Sequence, residues 1–258
     1  MNFGLSLVNY NTYHPVSDIS YSNKIKAHAN MILDKGGTLP IIITNETIAG
    51  RENKYLSEIS NAFKDHENDT DKYDIITPPN WNPELHPKSI FTSIMVPTSV
   101  KHSTLPHIRS RFLRNRFVAE EIIINNIPIT VIAVHMVQTA IFSSGAASQY
   151  ISKRKQLQSE LWMELKYYVK AKTKEPTIVC GDFQERSDGK NMLFFKELGY
   201  RELFPDWMPT TNNEAFPEKN IDHILFSPSA FALLKQPHAC FESAYYTDHA
   251  ILTVQAEI

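Results

Sequence analysis

Seven polar residues lie beside the ends of short apolar runs, and their types suit phosphoester chemistry. They are Asn11, Glu46, His135, Asp182, Asp222, Asp248 and His249. Carboxylate and amide oxygens are ligands for a hard cation such as Mg²⁺ or Mn²⁺, which keeps several waters and binds substrate phosphate. Two histidines, at least one of them oriented by an acid, suit general acid and base catalysis. We therefore expect one metal-dependent site that acts on a phosphoester.

Asp182 follows the apolar run Thr177–Cys180, which is too short for a helix and rich in strand-forming residues. The run ends at Gly181, so a buried strand is expected to deliver the acid to its C-terminal end, where reactive groups are well held and reachable. A strand ending in Gly-Asp is also ordinary turn chemistry. Glu46 repeats the arrangement after the run Leu39–Thr44, which favours the functional interpretation.

Strand and helix patterns alternate along the chain and predict a single α/β domain over residues 1–258. The predicted strands are Leu5–Val8, Leu39–Thr44, Tyr73–Thr77, Ser89–Val96, Phe117–Ile124, Ile129–His135, Thr177–Cys180, Asn220–Phe226 and a terminal strand from Tyr245 to Val254. The predicted helices are 22–36, 51–64, 148–171 and 192–198. Asn125-Asn126 predicts a hairpin turn. Asp222 lies on an otherwise apolar strand face, so we expect it to be paired.

Composition limits the classes of protein that fit. The 258 residues are 42% hydrophobic, enough for a sizeable core, and 28 acidic against 26 basic residues give a net charge of -2. Any phosphate-binding surface must therefore be local. The sequence has no apolar run of membrane-spanning length and no signal-like N-terminus, so we expect a cytoplasmic protein. We expect Cys180 and Cys240 to be reduced, and no zinc-type spacing of cysteine and histidine is present.

One basic cluster stands out between the predicted strands. It contains Arg109, Arg111, Arg114 and Arg116. If this segment is extended, the alternating arginines present their guanidinium groups on a common face toward phosphates. The alternative is a charged edge strand that protects against aggregation.

The order of these motifs resembles the endonuclease/exonuclease/phosphatase superfamily, the deoxyribonuclease I-like proteins, from Leu5 to Val254. Tyr10-Asn11 is similar to the end of the family's first strand, Asn45-Glu46 to its Gln-Glu motif, Val134-His135-Met136 to Asn-x-His-Leu, Gly181-Asp182-Phe183-Gln184 to Gly-Asp-Phe-Asn, Ile221-Asp222-His223-Ile224 to Ile-Asp-aromatic-Ile, and Thr247-Asp248-His249 to Ser-Asp-His. The last three, in this order and at these spacings, are the more specific motifs.

The resemblance implies a four-layer α/β sandwich, with two mixed β-sheets packed face to face and helices on the outside. It implies that Glu46 is the principal metal ligand, assisted by Asn11 and Asp248. It also implies that Asp222 orients His249, which acts at the attacking water or the phosphate. Asp182 would align that water or protonate the leaving oxygen. His135 would contact the phosphate or serve as an acid.

His135 stands where abasic-site endonucleases carry Tyr, which suggests the branch with deoxyribonuclease I, sphingomyelinases, inositol-phosphate phosphatases and tyrosyl-DNA phosphodiesterases. Gln184 replaces the family's Asn, whose amide holds phosphate or water. Asn45 replaces the usual Gln, and Ala250-Ile251 replaces the aromatic-Pro pair after the final His. Glu84 is a candidate partner for His135.

The expected activity is that of a Mg²⁺-dependent phosphodiesterase, a nuclease in particular, because the arginine cluster favours a nucleic-acid backbone. One alternative is a phosphatase or phosphodiesterase acting on an inositol phosphate, a lipid headgroup or a nucleotide. Another is a catalytically weakened protein that uses the same fold to bind nucleic acid or a protein partner. Gln184 favours this last interpretation, whereas intact Glu46, Asp182, Asp248 and His249 oppose it.

Overall fold

The structure is a computed structural model that describes residues 4–11, 30, 40–48, 73–78, 90–110, 113–139, 148–206, 208–213, 216–243 and 249–258. The strands are β1 (Gly4–Asn11), β2 (Ile41–Ile48), β3 (Tyr73–Ile76), β4 (Ile90–Pro97), β5 (Lys101–Thr104), β6 (Phe117–Ile124), β7 (Ile127–His135), β8 (Thr177–Asp182), β9 (Thr211–Asn213), β10 (Phe216–Lys219), β11 (Asp222–Phe226), β12 (Lys235–Ser243) and β13 (Ala250–Glu257). The helices are α1 (Ser148–Ala171), α2 (Lys190–Glu197) and α3 (Pro228–Leu233), and Arg114–Arg116 forms a 3-10 turn.

The strands form two mixed sheets and a short ribbon. The first sheet has the order β12-β13-β1-β2-β4-β3, the second has the order β11-β8-β7-β6-β5, and β9 pairs with β10. In the first sheet β1 and β2 run parallel, and in the second β7 and β8 run parallel. The sheets pack face to face through aliphatic side chains from both, which include Leu5, Leu7, Ile43, Val131, Ile178 and Ile224. The predicted sandwich of two mixed sheets is confirmed.

A helical layer covers the outer face of the second sheet. The buried stripe of α1, Leu161, Trp162, Leu165 and Val169, packs with Phe183 and with Phe195 of α2. Burying each large apolar side chain contributes about 1.5–3 kcal/mol, so this layer holds β7 and β8 firmly in place. The helices predicted at 22–36 and 51–64 lie outside the described residues, apart from residue 30, which is helical.

Several predicted elements have the predicted bounds. α1 and β6 agree with the sequence pattern, and Asn125 and Asn126 form the β6–β7 turn with φ angles of 50° and 64°. The sequence patterns did not identify β5, β12 or α3, and the β9–β10 ribbon lies in the segment Phe204–Lys219 that was predicted to be a loop. Cys180 and Cys240 are free, as expected. Among the described helices, none has the length and apolar character needed to cross a membrane.

Candidate active site

The second sheet places three of the candidate residues side by side. In the parallel pair of β7 and β8, His135 lies opposite Asp182, and in the antiparallel pair of β8 and β11, Asp182 lies opposite Asp222. All three side chains are buried. Strand pairing alone therefore lines up a histidine and two acids across three neighbouring strands.

Gly181 allows β7 and β8 to approach at this row. Its φ is 148°, and a Cβ atom there would lie 1.7 Å from the carbonyl oxygen of Val134. A side chain at this position is therefore incompatible with the strand pairing that brings His135 beside Asp182. The Gly-Asp sequence is a requirement of close strand packing rather than of a turn.

Glu46 reaches the same place from the first sheet because β2 carries a bulge. Thr44 pairs with Ser93 and Thr47 pairs with Phe91, so Asn45 and Glu46 together face one residue of β4. Glu46 has a φ of 55°, which is uncommon for a residue with a side chain. Bulges redirect side chains near functional sites. Here Glu46 Oε1 lies 3.1 Å from His135 Nε2.

His249 and Asp222 form a buried pair. His249 Nδ1 lies 2.8 Å from Asp222 Oδ2, and both side chains are almost fully buried. The backbone N–H of Asp222 donates to the Thr210 hydroxyl, while Ala250 N–H donates to the Thr210 carbonyl, so one residue holds both partners in place. The predicted pairing of Asp222 is confirmed, and the ring's other nitrogen, Nε2, lies 4.0 Å from Asp182 Oδ2.

Asp182 is fully buried and receives two hydrogen bonds from Gln184. The backbone N–H of Gln184 donates to Oδ1 at 2.9 Å, and its side-chain amide donates to Oδ2 at 2.7 Å. Burial and then the charge of Asp222 raise the pKa of Asp182, the two nearby histidines lower it, and the net result is a pKa of about 6. The backbone of Gln184 has a positive φ of 51°. In this conformation its backbone N–H and its side-chain amide both hold the Asp182 carboxylate in place.

His135 has a second partner that sequence reasoning missed. Arg116 Nη1 lies 3.0 Å from His135 Nδ1 and also donates to the carbonyl oxygens of His135 and Met136, at 3.3 and 3.1 Å. Burial lowers the pKa of Arg116 to about 10, which leaves it charged at neutral pH. The suggested partner, Glu84, lies outside the described residues.

A chain of buried hydrogen bonds beneath the site was also missed. The hydroxyl of Thr92 donates to Asn45 Oδ1, the amide of Asn45 donates to Asn9 Oδ1, and the amide of Asn9 donates to the carbonyl of Gly181, at 3.1, 3.3 and 3.5 Å. These bonds connect the bulge of β2 to β8 across the two sheets. A weak signal was present, because Asn9 interrupts an apolar strand.

The described arginines of the cluster do not form the extended face that alternation suggested. Arg114 and Arg116 lie in a 3-10 turn, so the expectation of an extended segment there is wrong. The turn ends where Phe117 begins β6, and this geometry sends Arg116 inward to His135. Arg109 lies with its guanidinium 5.3 Å from the ring centre of Tyr167 on α1. Arg111 lies outside the described residues, and a phosphate-binding role for the arginines stays a prediction.

Two predicted ligands cannot be located. Asp248 and the side chain of Asn11 lie outside the described part of the chain, although the backbone of Asn11 pairs with Asn45.

Two groups of described residues could each hold a metal ion: Glu46, His135 and Asp182, and Asp182, Asp222 and His249. Burial raises the pKa of Glu46, but the hydrogen bond and charge of His135 outweigh it and lower the pKa below its ordinary value. Glu46 is therefore ionised at neutral pH.

Comparison with known proteins places the fold. No family model and no curated protein sequence matches the chain. An endonuclease/exonuclease/phosphatase family protein from Bacteroides thetaiotaomicron is 15% identical, with 98% of this chain and 97% of that chain covered and a TM-score of 0.66. Truncated TDP2 from Caenorhabditis elegans is 13% identical, with 99% and 98% covered and a TM-score of 0.60. An AP endonuclease from Archaeoglobus fulgidus is 12% identical, with 98% and 100% covered and a TM-score of 0.61. The chain has the deoxyribonuclease I-like fold of the endonuclease/exonuclease/phosphatase proteins.

Proposed function

We propose that the chain is a metal-dependent phosphodiesterase that hydrolyses nucleic acid. The observation that carries the proposal is the buried His249–Asp222 pair, whose other ring nitrogen, Nε2, lies 4.0 Å from Asp182 Oδ2, beside the Glu46–His135 pair. A histidine oriented by an acid beside further carboxylates is the arrangement needed to activate water and to protonate a leaving group. Burying charged groups costs free energy, and a functional site is the usual reason that a protein keeps several of them together.

The donor set fits a hard cation. Glu46 is an ionised carboxylate at the mouth of the bulge, and the predicted ligands Asn11 and Asp248 would add oxygens, which Mg²⁺ and Mn²⁺ prefer. When bound, such an ion would polarise the phosphate and stabilise the charge that develops on it. The Glu46 carboxylate is the anchor of this set because the bulge and its hydrogen bond to His135 hold it in place.

The protein groups have complementary roles in the reaction. Asp222 accepts the Nδ1–H of His249, so Nε2 is the unprotonated nitrogen that takes a proton from water as the water oxygen attacks phosphorus. The bond from phosphorus to the leaving oxygen breaks, and that oxygen takes the proton of Asp182, whose raised pKa suits a general acid. With substrate bound, the Nε2–H of His135 donates to a phosphate oxygen instead of to the carboxylate of Glu46.

Nucleic acid is the proposed substrate class for two reasons. Structural neighbours include proteins described as an AP endonuclease and as the endonuclease domain of a telomere-specific retrotransposon. The chain also carries Arg109, Arg111 and Arg114 in one segment that leads to the site through Arg116. Guanidinium groups suit the phosphate oxygens of a polynucleotide.

The test compares cleavage of supercoiled plasmid, linear duplex, single-stranded DNA and RNA, each with Mg²⁺, Mn²⁺ or chelator. We expect metal-dependent cleavage by the wild type and a loss of about 10²–10⁴-fold in His249→Ala, because the water then lacks its base. His238→Ala is the matched control, since His238 is exposed on β12, and should cleave like wild type.

Equal cleavage by wild type and His249→Ala would refute the proposed site. Folded wild type that hydrolyses small phosphoesters but neither DNA nor RNA would refute the nuclease assignment and favour the phosphatase alternative. Folded protein that binds nucleic acid without hydrolysing any phosphoester would favour the binding alternative.

A further inference from the structure

The two histidines of the site have opposite hydrogen-bond partners. His249 Nδ1 faces the carboxylate of Asp222, which can only accept, whereas His135 Nδ1 faces the guanidinium of Arg116, which can only donate. A neutral imidazole has one protonated and one unprotonated nitrogen. The partner of Nδ1 therefore decides which nitrogen carries the proton, and the decision differs between the two rings.

For His135 the geometry agrees on both sides of the ring. Arg116 Nη1 lies 3.0 Å from Nδ1, so Nδ1 must present a lone pair. Nε2 then carries the hydrogen, and it lies 3.1 Å from Glu46 Oε1, a carboxylate oxygen that can accept it. The alternative tautomer would place two donors against each other at Nδ1 and two lone pairs against each other at Nε2.

Arg116 is held in place by its own surroundings. Its backbone N–H donates to the carbonyl of Leu113 at 3.0 Å, and the neighbouring Asn115 amide donates to the carbonyl of Ile90 on β4 at 2.6 Å. The guanidinium also donates to the carbonyls at the end of β7. Moving the guanidinium away would leave those buried carbonyls without partners, which is costly.

We infer that Arg116 is a positioning residue that fixes His135 in the Nε2–H tautomer, so that His135 serves as a hydrogen-bond donor and cannot ligate a metal ion through Nε2. The value of this donor to catalysis depends on the proposed function, whereas the tautomer itself does not. The group of Glu46, His135 and Asp182 then offers a cation only its carboxylate oxygens. Zn²⁺, which favours imidazole nitrogen, finds no available lone pair on His135 toward Glu46 and Asp182.

The inference explains why one site can use two histidines without redundancy. His249, with its proton on Nδ1, presents a lone pair to the cleft, and His135, with its proton on Nε2, presents a donor. One ring can accept a proton from water while the other donates a hydrogen bond to the phosphate. Asp182 lies between them, with Oδ2 3.8 Å from His135 Nε2 and 4.0 Å from His249 Nε2.

The experiment is a long-range ¹H–¹⁵N spectrum of the histidine rings in metal-free, ¹⁵N-labelled protein, with His135→Gln used to assign the resonances. We expect the wild-type His135 Nδ1 to have the chemical shift of an unprotonated nitrogen and Nε2 that of a protonated one. In Arg116→Met this preference should weaken, because only Glu46 at Nε2 then supports it. Arg201→Gln is the control for removing a guanidinium, since Arg201 lies over Phe231 on α3, and should leave the His135 resonances unchanged.

ZnCl₂ is then titrated into the same samples. We expect no zinc-dependent shift of His135 in the wild type and, in Arg116→Met, coordination at His135 with an affinity higher by about tenfold or more. A wild-type ring protonated on Nδ1, or zinc coordination by wild-type His135 as tight as in the variant, would overturn the inference. If Arg116→Met does not fold, the wild-type spectrum still decides the tautomer, and Arg116→Lys, which keeps a cationic donor, should retain the wild-type tautomer and show no zinc-dependent shift of His135.

The two proposals fail separately. The predicted tautomer in a protein that hydrolyses no phosphoester would refute the proposed function and leave the role of Arg116 intact. Hydrolysis by a wild type whose His135 is protonated on Nδ1 would do the reverse.

Discussion

Asp182 lies between the two histidines and is the most constrained ionisable group of the site. It is fully buried, and its pKa is raised to about 6 from an ordinary value of 3.8, first by burial and then by the charge of Asp222. A raised carboxylate pKa means that the ionised form destabilises the folded protein. Asp182 is therefore expected to reduce stability at neutral pH in return for its chemical role.

Replacing Asp182 with Asn tests this conflict between stability and chemistry. Asn cannot ionise, so Asp182→Asn should be more stable than wild type in chelator at pH 7, while activity falls by about 10²-fold or more. Because the folded pKa lies above the unfolded one, the stability gap should widen as the pH rises from about 4 to about 6 and then stay constant. Thermal unfolding across this pH range measures the gap.

Asp188→Asn is the control for this comparison, because Asp188 is exposed and pairs with the exposed Arg186. Its stability should follow that of wild type at every pH. If Asp182→Asn is less stable than wild type at pH 7, the two hydrogen bonds from Gln184 outweigh the cost of the buried charge and the expectation is wrong.

The sequence allowed accurate inferences where the pattern of a single strand shows which way a side chain faces. Asp222 on an apolar strand face predicted a partner, and His249 is that partner. The contact of Arg116 with His135 depends on a 3-10 turn and on the packing of β6 against β7, and neither leaves a local pattern. Glu46 was expected at the tip of a strand, whereas it lies in a bulge that requires the register between β2 and β4 to be known.

Elements with strong periodicity were predicted well, and polar edge elements were not. β6 and α1 have clear apolar patterns, and their bounds agree with the structure. β5 at Lys101–Thr104 and β12 at Lys235–Ser243 are edge strands of their sheets. Edge strands carry polar residues and need no continuous apolar face, so their sequences resemble loops.

The two sheets are also joined by an ionic bridge at β5. His102 Nδ1 lies 2.7 Å from Glu120 Oε1 on β6, and Nε2 lies 3.1 Å from Asp74 Oδ2 on β3 of the other sheet. Burial lowers the pKa of His102, but the two carboxylates outweigh it and raise the pKa above its ordinary 6.5. The protonated ring is thus the form that bridges the sheets.

This bridge predicts a pH-dependent stability. Since the folded pKa is raised, the contribution is complete below about pH 6.5 and is lost as the pH rises through the folded pKa. His102→Gln should therefore cost about 1–3 kcal/mol at pH 6 and less at pH 9, measured by denaturant unfolding. His238→Gln, on the exposed face of β12, should cost little at either pH. An equal loss for His102→Gln at both pH values would show that protonation does not support the bridge.

The approach of β7 to β8 gives a sharper prediction at a single position. Gly181→Ala would place a Cβ atom 1.7 Å from the Val134 carbonyl oxygen, and neither strand can move without disturbing the row of His135 and Asp182. We expect a loss of about 3 kcal/mol or more in unfolding free energy, or failure to fold. Gly199→Ala also has a positive φ, 79°, but meets the ring of Pro228 at 3.0 Å and should cost about 1 kcal/mol. Similar losses for both would show that the strands can separate.

For the molecule as a whole, the site concentrates negative charge where the two sheets meet. The chain has 28 acidic and 26 basic residues, and its net charge of -2 supplies no surplus of positive charge to balance this local excess. Glu46 and Asp182 converge on His135 from different sheets, and Glu46 is among the groups that raise the pKa of Asp182. A cation bound there would relieve the repulsion and connect the sheets.

Metal binding should therefore be visible as stability of the entire fold. A cation that binds the folded state alone adds about 2.7 kcal/mol at one hundred times its Kd. For a chain of this size this amounts to a rise in Tm of about 5–10 °C. Differential scanning calorimetry of chelator-treated protein, with and without Mg²⁺ or Mn²⁺, measures the rise. Glu46→Gln should lose most of it, and Glu197→Gln, on α2 away from the cluster, should keep it. A rise of equal size in Glu46→Gln would mean that the cation binds elsewhere, and the metal role proposed for the bulge of β2 would be wrong.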